Sequence, residues 1–512
     1  MKIKAIKKYF LIFILLIIFS CSNEQSEQKL FSEPYRPQFH FTPAANWMND
    51  PNGLVFYEGE YHLFFQYNPF GNKWGHMSWG HAISPDLVHW EHLPVAIPET
   101  DSIMIFSGSA VVDGLNTSGL GKNGISPLVA IFTGHHKSRK NQAQYIAYSN
   151  DKGRTWTMYK ANPVLDIHSA DFRDPKVFWY SAEKKWIMII ALPDNHEVSF
   201  YQSENMEKWG HLSDFGPAGA TGGVWECPDI YEIAVQGDSE EKYWVLEVDL
   251  APGAIAGGSG GQYFFGEFNG KEFIPKDKKI RWIDYGKDFY ANVSFSNIPE
   301  KDGRRIIIGW MNNWEYAQDI PTSPWRSAQS LPRELTLREK DNEIILYQRP
   351  VEELKELRTD HKQLLNIDLT TEIPFKRINE ISGRSMEIIA VFEAGKAEEF
   401  GLKVCMGENE ETLVGYNTIA AEIFVDRSKS GKVQFNSEFP GRHSAPLKAA
   451  DGKIKMHIFI DWSSIEVFAN DGLRVITDRI FPSRDSNAIG VYTVGANTKL
   501  ISLDVWRLKS IW

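Results

Sequence analysis

Ser84-Pro85-Asp86-Leu87-Val88-His89-Trp90 reads as a strand end, a polar turn and a tryptophan that opens the next strand. The same design returns in Ser149-Asn150-Asp151-Lys152-Gly153-Arg154-Thr155-Trp156 and in Ser203-Glu204-Asn205-Met206-Glu207-Lys208-Trp209. Asn269-Gly270-Lys271-Glu272-Phe273 is a fourth version, built on the Asn-Gly dipeptide that favours tight turns. One kind of hairpin recurring roughly every sixty residues predicts the blades of a β-propeller.

The strands between these hairpins are then expected to line a central channel, and the chemistry falls on them. Asp50 belongs to the first, Phe106-Ser107-Gly108-Ser109-Ala110 to the second, Asp174 to the third, Glu226 to the fourth and Phe289-Tyr290-Ala291-Asn292 to the fifth. Radial blades would bring these distant residues to one funnel.

Three carboxylates stand in similarly stiff settings: Trp47-Met48-Asn49-Asp50-Pro51-Asn52-Gly53, Arg173-Asp174-Pro175 and Glu226-Cys227-Pro228. A single acid beside a proline is usually a solvated turn residue. Three in register with a repeat point instead to glycosidic bond cleavage, which needs an acid and a nucleophile facing each other. Arg173 can hold two acceptors at once with its planar fork, on a sugar hydroxyl or on Glu226.

The chain opens with Lys2, Lys4, Lys7 and Lys8, then the apolar run Tyr9 to Phe19, then Ser20-Cys21. That run is too short to span a bilayer and has the flanks of an export signal. Ile18-Phe19-Ser20-Cys21 resembles the bacterial lipoprotein box, so Cys21 is expected to carry lipid and residues 22–36 to form a polar tether. The mature protein would sit at a bacterial cell envelope, facing the periplasm or the surface, held to the membrane only by that anchor.

The 55 basic and 66 acidic side chains give a net charge of −11, more negative still once the four leader lysines are gone. Such a balance argues against a nucleic-acid partner. The remaining cysteines, Cys227 and Cys405, imply no disulfide framework, and no metal-ligand spacing or cofactor is indicated.

After a propeller over residues 37–350 the pattern changes. Residues 351–366 carry the charge pattern of a short helix or linker around Leu354 and Leu357. Residues 367–512 alternate in short β segments, such as Met386 to Phe392 and His457 to Asp461, that fit a β-sandwich. The fold class expected is therefore all-β, a propeller followed by a C-terminal sandwich.

With these residues in view the chain resembles glycoside hydrolase family 32, the family of invertases, levanases and inulinases. The three acidic motifs carry the resemblance, supported by Gln66-Tyr67-Asn68-Pro69, Trp74-Gly75-His76-Met77, Phe106-Ser107-Gly108-Ser109, Gly309-Trp310-Met311-Asn312-Asn313-Trp314 and, in the second domain, Ser463-Ser464-Ile465-Glu466-Val467-Phe468. The resemblance implies a five-bladed propeller, with Asp50 as nucleophile, Glu226 as general acid/base and Asp174 holding fructose hydroxyls. It implies a sugar-binding shell of Asn49, Gln66, Trp74, Phe106, Ser107, Arg173 and Trp314, with Trp310 as a further candidate.

The activity implied is retaining hydrolysis of β-fructofuranosidic bonds in levan, inulin or fructo-oligosaccharides, with sucrose as an additional substrate, through a covalent fructosyl-enzyme. Three alternatives stay open at this level: internal cleavage rather than end-trimming, fructosyl transfer to a sugar acceptor, and a fructan-binding protein without turnover. The lipid anchor favours polymeric fructan, which arrives from outside the cell.

Overall fold

The computed structural model describes residues 30–512 and is built almost entirely of strands. The expected export signal, the expected lipid-bearing Cys21 and most of the expected tether lie outside the described residues. Five antiparallel blades follow one another along the chain, with inner strands Asn46–Tyr57, Ile103–Val112, Arg173–Tyr180, Val224–Val235 and Tyr290–Ser294. Each inner strand packs on the next, and the fifth packs on the first, closing a five-bladed propeller.

All four hairpin motifs fall at the same place, the turn between the third and fourth strands of blades one to four. Their shared chemistry is a side-chain oxygen that caps the turn. Asp86 accepts the backbone N–H groups of Val88 and His89, Asp151 that of Thr155, Asn205 that of Glu207, and Asn269 those of Lys271 and Glu272. The fifth blade makes the turn with only Asp341 and Asn342, both at positive φ, and escapes the pattern.

Every inner strand carries a β-bulge at one common level. Two residues stand against one in Asn49-Asp50 opposite Gln66, Phe106-Ser107 opposite Thr133, Asp174-Pro175 opposite Ile190, Cys227-Pro228 opposite Val248, and Ala291-Asn292 opposite Gly309. A bulge releases residues from the ladder and re-aims their side chains. It also explains the prolines, because a residue at a bulge need not donate to the neighbouring strand. Asp174, Cys227 and Ala291 take φ of 65°, 49° and 52°, left-handed values that cost a non-glycine residue about 1 kcal/mol or more.

Two six-stranded sheets form the sandwich around a core that includes Ile388, Leu402, Val414, Ile458 and Val491. Residues 351–366, expected as a linker, are a 3-10 turn, Glu352–Leu357, running straight into the edge strand Arg358–Leu369 of the first sheet. Leu354 and Leu357 anchor the turn in a core shared with the propeller, which leaves no free spacer. The tether is shorter than expected too. Arg36 is fully buried against Trp325 and ion-paired to Glu33, so its apolar stem and fork belong to the folded body.

A buried network of ions locks the two domains together. Glu466 of the sandwich takes Arg333 NH2 of the propeller at 2.6 Å and faces His40 Nε2 at 3.0 Å, while Arg333 NH1 reaches Asp284 at 2.9 Å. All four side chains are buried, so removing any one would leave an uncompensated charge in a medium that cannot solvate it.

Candidate active site

The bulges gather the three carboxylates: Asp50 and Asp174 lie in two of them and Glu226 directly precedes a third. Asp50 accepts Ser107 Oγ on Oδ2 at 2.5 Å and Asn49 Nδ2 on Oδ1 at 2.9 Å. Asp174 accepts the backbone N–H of Cys227 at 3.0 Å, and its own N–H donates to Thr133 Oγ1 at 3.0 Å. Cys227 Sγ lies 3.6 Å from Asp174 Oδ2 and 3.9 Å from Asp50 Oδ2, so one small side chain touches both acids. Glu226 precedes that cysteine and is held from two sides. Arg173 donates from Nε to Oε1 at 3.0 Å, and the Tyr290 hydroxyl donates a short hydrogen bond to Oε2.

Electrostatics separate these groups. Burial pushes the Asp50 carboxyl upward, and the hydrogen bonds from Ser107 and Asn49 pull it back. Burial likewise raises Asp174, to about 7; Arg173 opposes the rise, and the negative charges of Glu226 and Asp50 add to it. Burial works against the charge of Arg173, yet Glu226, Asp174 and Asp171 around it hold its pKa above the ordinary arginine value. The Cys227 thiol is raised well above its usual value, first by burial and then by the surrounding acids, and stays a neutral packing group.

The expected sugar shell divides in two. Asn49, Ser107, Arg173 and Phe106 stand around the acids, and Trp74, 39% exposed, makes the rim against Phe106 with ring centroids 6.1 Å apart. Phe106 in turn stacks on His135. Gln66 is buried and spends its amide N–H on the Ile105 carbonyl at 3.0 Å, tying blade one to blade two. Trp314 is half-buried over Trp47, whereas Trp310 has no exposed surface at all. Trp310 is therefore not a sugar contact. It packs behind Tyr290 and Trp314 because its strand is second from the channel, and it supports the wall that the substrate would meet.

The sequence places Tyr290 on the fifth inner strand and marks no role for it. Its contact with Glu226 depends on blade five lying beside blade four, a tertiary fact with no local signature. Asp171, which braces Arg173 NH1 at 2.9 Å, could have been found from its spacing two residues ahead of the arginine.

Beyond the acids the channel narrows to a chamber of about 20 Å³ lined by Asn52, Gly53, Ser109, Lys176 and Ser294. That is room for about one water. Lys176 closes it below, paired with Asp229 at 3.0 Å and donating to the Ser294 carbonyl at 2.7 Å.

Comparison with known proteins finds similarity along nearly the whole described chain. The model of the glycosyl hydrolases family 32 N-terminal domain matches residues 40–350, and that of the family 32 C-terminal domain matches residues 353–507. A levanase of Bacillus subtilis is 49% identical over 516 residues, covering 99% of this chain and 76% of that protein. An extracellular exo-inulinase of Aspergillus awamori is 39% identical over 519 residues, covering 94% and 96%. The crystal structure of exo-inulinase from that organism superposes with a TM-score of 0.89 at 38% identity, covering 94% of this chain and all of that one. A β-fructofuranosidase of Schwanniomyces occidentalis in complex with fructosyl-erythritol gives 0.87 at 33%, covering 94% and 99%.

Proposed function

Because this chain belongs to the glycosyl hydrolases of family 32, we propose that its three acids cleave β-fructofuranosidic bonds of levan or inulin with retention, releasing fructose from chain ends. The observation that carries this reading is the meeting of Asp50, Asp174 and Glu226 around Cys227. An Asp50 oxygen attacks the anomeric carbon while Glu226 gives its proton to the departing glycosidic oxygen, leaving a fructosyl ester. Water then attacks the same carbon, returns a proton to Glu226 and frees Asp50. Asp174 and Arg173 hold hydroxyls of the ring and steady the charge that develops on it.

Two further observations support end-trimming of polymer. The chamber between Asp174 and Lys176 is too small for a sugar, so no ring fits beyond the one met by the acids, as a chain end requires. The relatives include proteins named levanase and exo-inulinase. Attachment to a cell envelope through Cys21 belongs to the same proposal and rests on the lysine-rich, apolar leader.

Proton NMR of the first product formed, with a chromatographic profile of levan and inulin digests, tests the reading. Fructose as the sole early product, with the configuration of the substrate retained and activity lost in Glu226→Gln, is expected. A ladder of oligomers overturns end-trimming, and inversion overturns the covalent intermediate. Cys21→Ala should move the protein from the membrane to the soluble fraction.

A further inference from the structure

The sandwich reaches the nucleophile. Asn49 and Asp50 form the bulge of the first inner strand and have lost their ladder partners there. In place of the missing ladder bond, Gln329 Nε2 donates to the Asn49 carbonyl at 2.9 Å. That carbonyl shares a peptide plane with the Asp50 nitrogen, so the bond sets the orientation of the unit from which the Asp50 side chain springs. Asn49 itself is pinned from the other side, where Trp47 Nε1 donates to its Oδ1 at 2.7 Å and leaves its amide N–H for Asp50.

Gln329 is buried on the short strand Ala328–Gln329, which pairs with Met311 and Trp310 of blade five and which the sandwich reaches just beyond its end. Two residues on, Leu331 N donates to Glu466 Oε1 at 2.8 Å; two further, Arg333 grips the other oxygen of the same carboxylate at 2.6 Å. Asp461 and Glu466 clamp His40 between them, and His40 belongs to the strap that leads into blade one. The backbone of Gln329 donates to Phe41 on that strap at 2.9 Å, closing a loop of contacts from the sandwich back to residue 49.

We infer that Gln329 and Glu466 are positioning residues through which the sandwich sets the attack geometry of Asp50. This rests on the proposed role of Asp50 as nucleophile. A displacement of a fraction of an ångström at the attacking oxygen slows covalent chemistry without altering how the sugar is held. The bond from Gln329 acts on the peptide and touches no substrate, so its loss belongs in kcat and not in KM.

The test is Gln329→Met, which keeps the length of the side chain and removes the donor, in the full chain with sucrose and a fructo-oligosaccharide as substrates. The expected result is a kcat lowered about tenfold, KM within twofold of the parent and a melting temperature lowered by no more than a few degrees. A wild-type kcat, or a loss carried by KM, overturns the inference. Glu466→Gln supplies the second arm. If it folds, its effect on kcat should combine with that of Gln329→Met less than additively, because both act through one segment. Full additivity overturns the part given to the sandwich. The first variant decides the question at Gln329 even if the second is unstable. Absence of fructose release by the parent protein would fail the functional reading instead, before either variant is made.

Discussion

Arg173 meets Glu226 through two nitrogens at once, Nε and NH2 both lying 3.0 Å from Oε1, while its remaining nitrogen braces on Asp171. The arginine belongs to blade three and the glutamate to blade four. Their contact joins two blades at the neck of the funnel and holds the Glu226 carboxylate from one side.

Arg173→Lys should therefore lower kcat/KM by about a hundredfold while leaving the fold intact, since an ammonium cannot reproduce the fork. Steady-state kinetics on a fructo-oligosaccharide, read beside circular dichroism, checks this. A loss below threefold would mean that the fork is dispensable.

Ser107→Ala removes the 2.5 Å hydrogen bond that steadies the Asp50 carboxylate. Without that donor the acid form of Asp50 gains ground, because the bond lowers its pKa. The ascending limb of the kcat/KM–pH profile should move to higher pH, with a maximal rate reduced by about tenfold. An unmoved limb would contradict the assignment.

Asp174→Asn should trade activity for stability. The folded pKa of Asp174 is raised to about 7, above its ordinary 3.8, chiefly by burial. Between those values the fold holds a proton that the unfolded chain releases, so stability falls as pH rises through the folded pKa. The amide avoids that cost. We expect the variant to melt a few degrees above the parent at pH 8, with the advantage shrinking as pH drops toward 5, and to lose at least a thousandfold in kcat.

His62 and His81 pack ring to ring in blade one, with Nδ1 and Nε2 3.0 Å apart. Burial pulls His62 down to about 4 and His81 well below its ordinary 6.5. As pH falls from 6.5 toward 4 the unfolded chain takes up protons that the buried rings refuse, so stability decreases over that window. His62→Gln should flatten the slope of melting temperature against pH there, measured by calorimetry. A slope equal to that of the parent would place the acid sensitivity elsewhere.

Much of the propeller is legible along the chain because its signals are local. A capping Asp or Asn one or two residues after a strand end makes the same turn wherever it occurs, and four of the five blades announce themselves that way. The acids are legible for a related reason. Asp50-Pro51, Asp174-Pro175 and Cys227-Pro228 each place a proline at or beside a bulge, where the ladder asks for no donor. Blade five hides because its turn is short, and residues 351–366 hide because a mixed charge pattern serves an exposed edge strand as well as a helix.

Sequence alone thus picked out the three acids that the fold brings together, since strand, turn and bulge are decided within a few residues by backbone sterics and side-chain caps. It did not decide their neighbours. That Tyr290 bonds Glu226, that Gln329 braces the peptide of Asp50, that Cys227 sits between two carboxylates and that Trp310 is sealed from any sugar are outcomes of closing the ring and docking the sandwich. Those contacts join residues 53 to 280 positions apart or depend on what packs over a strand's far face. Only the long-range burial that folds the whole chain can select them.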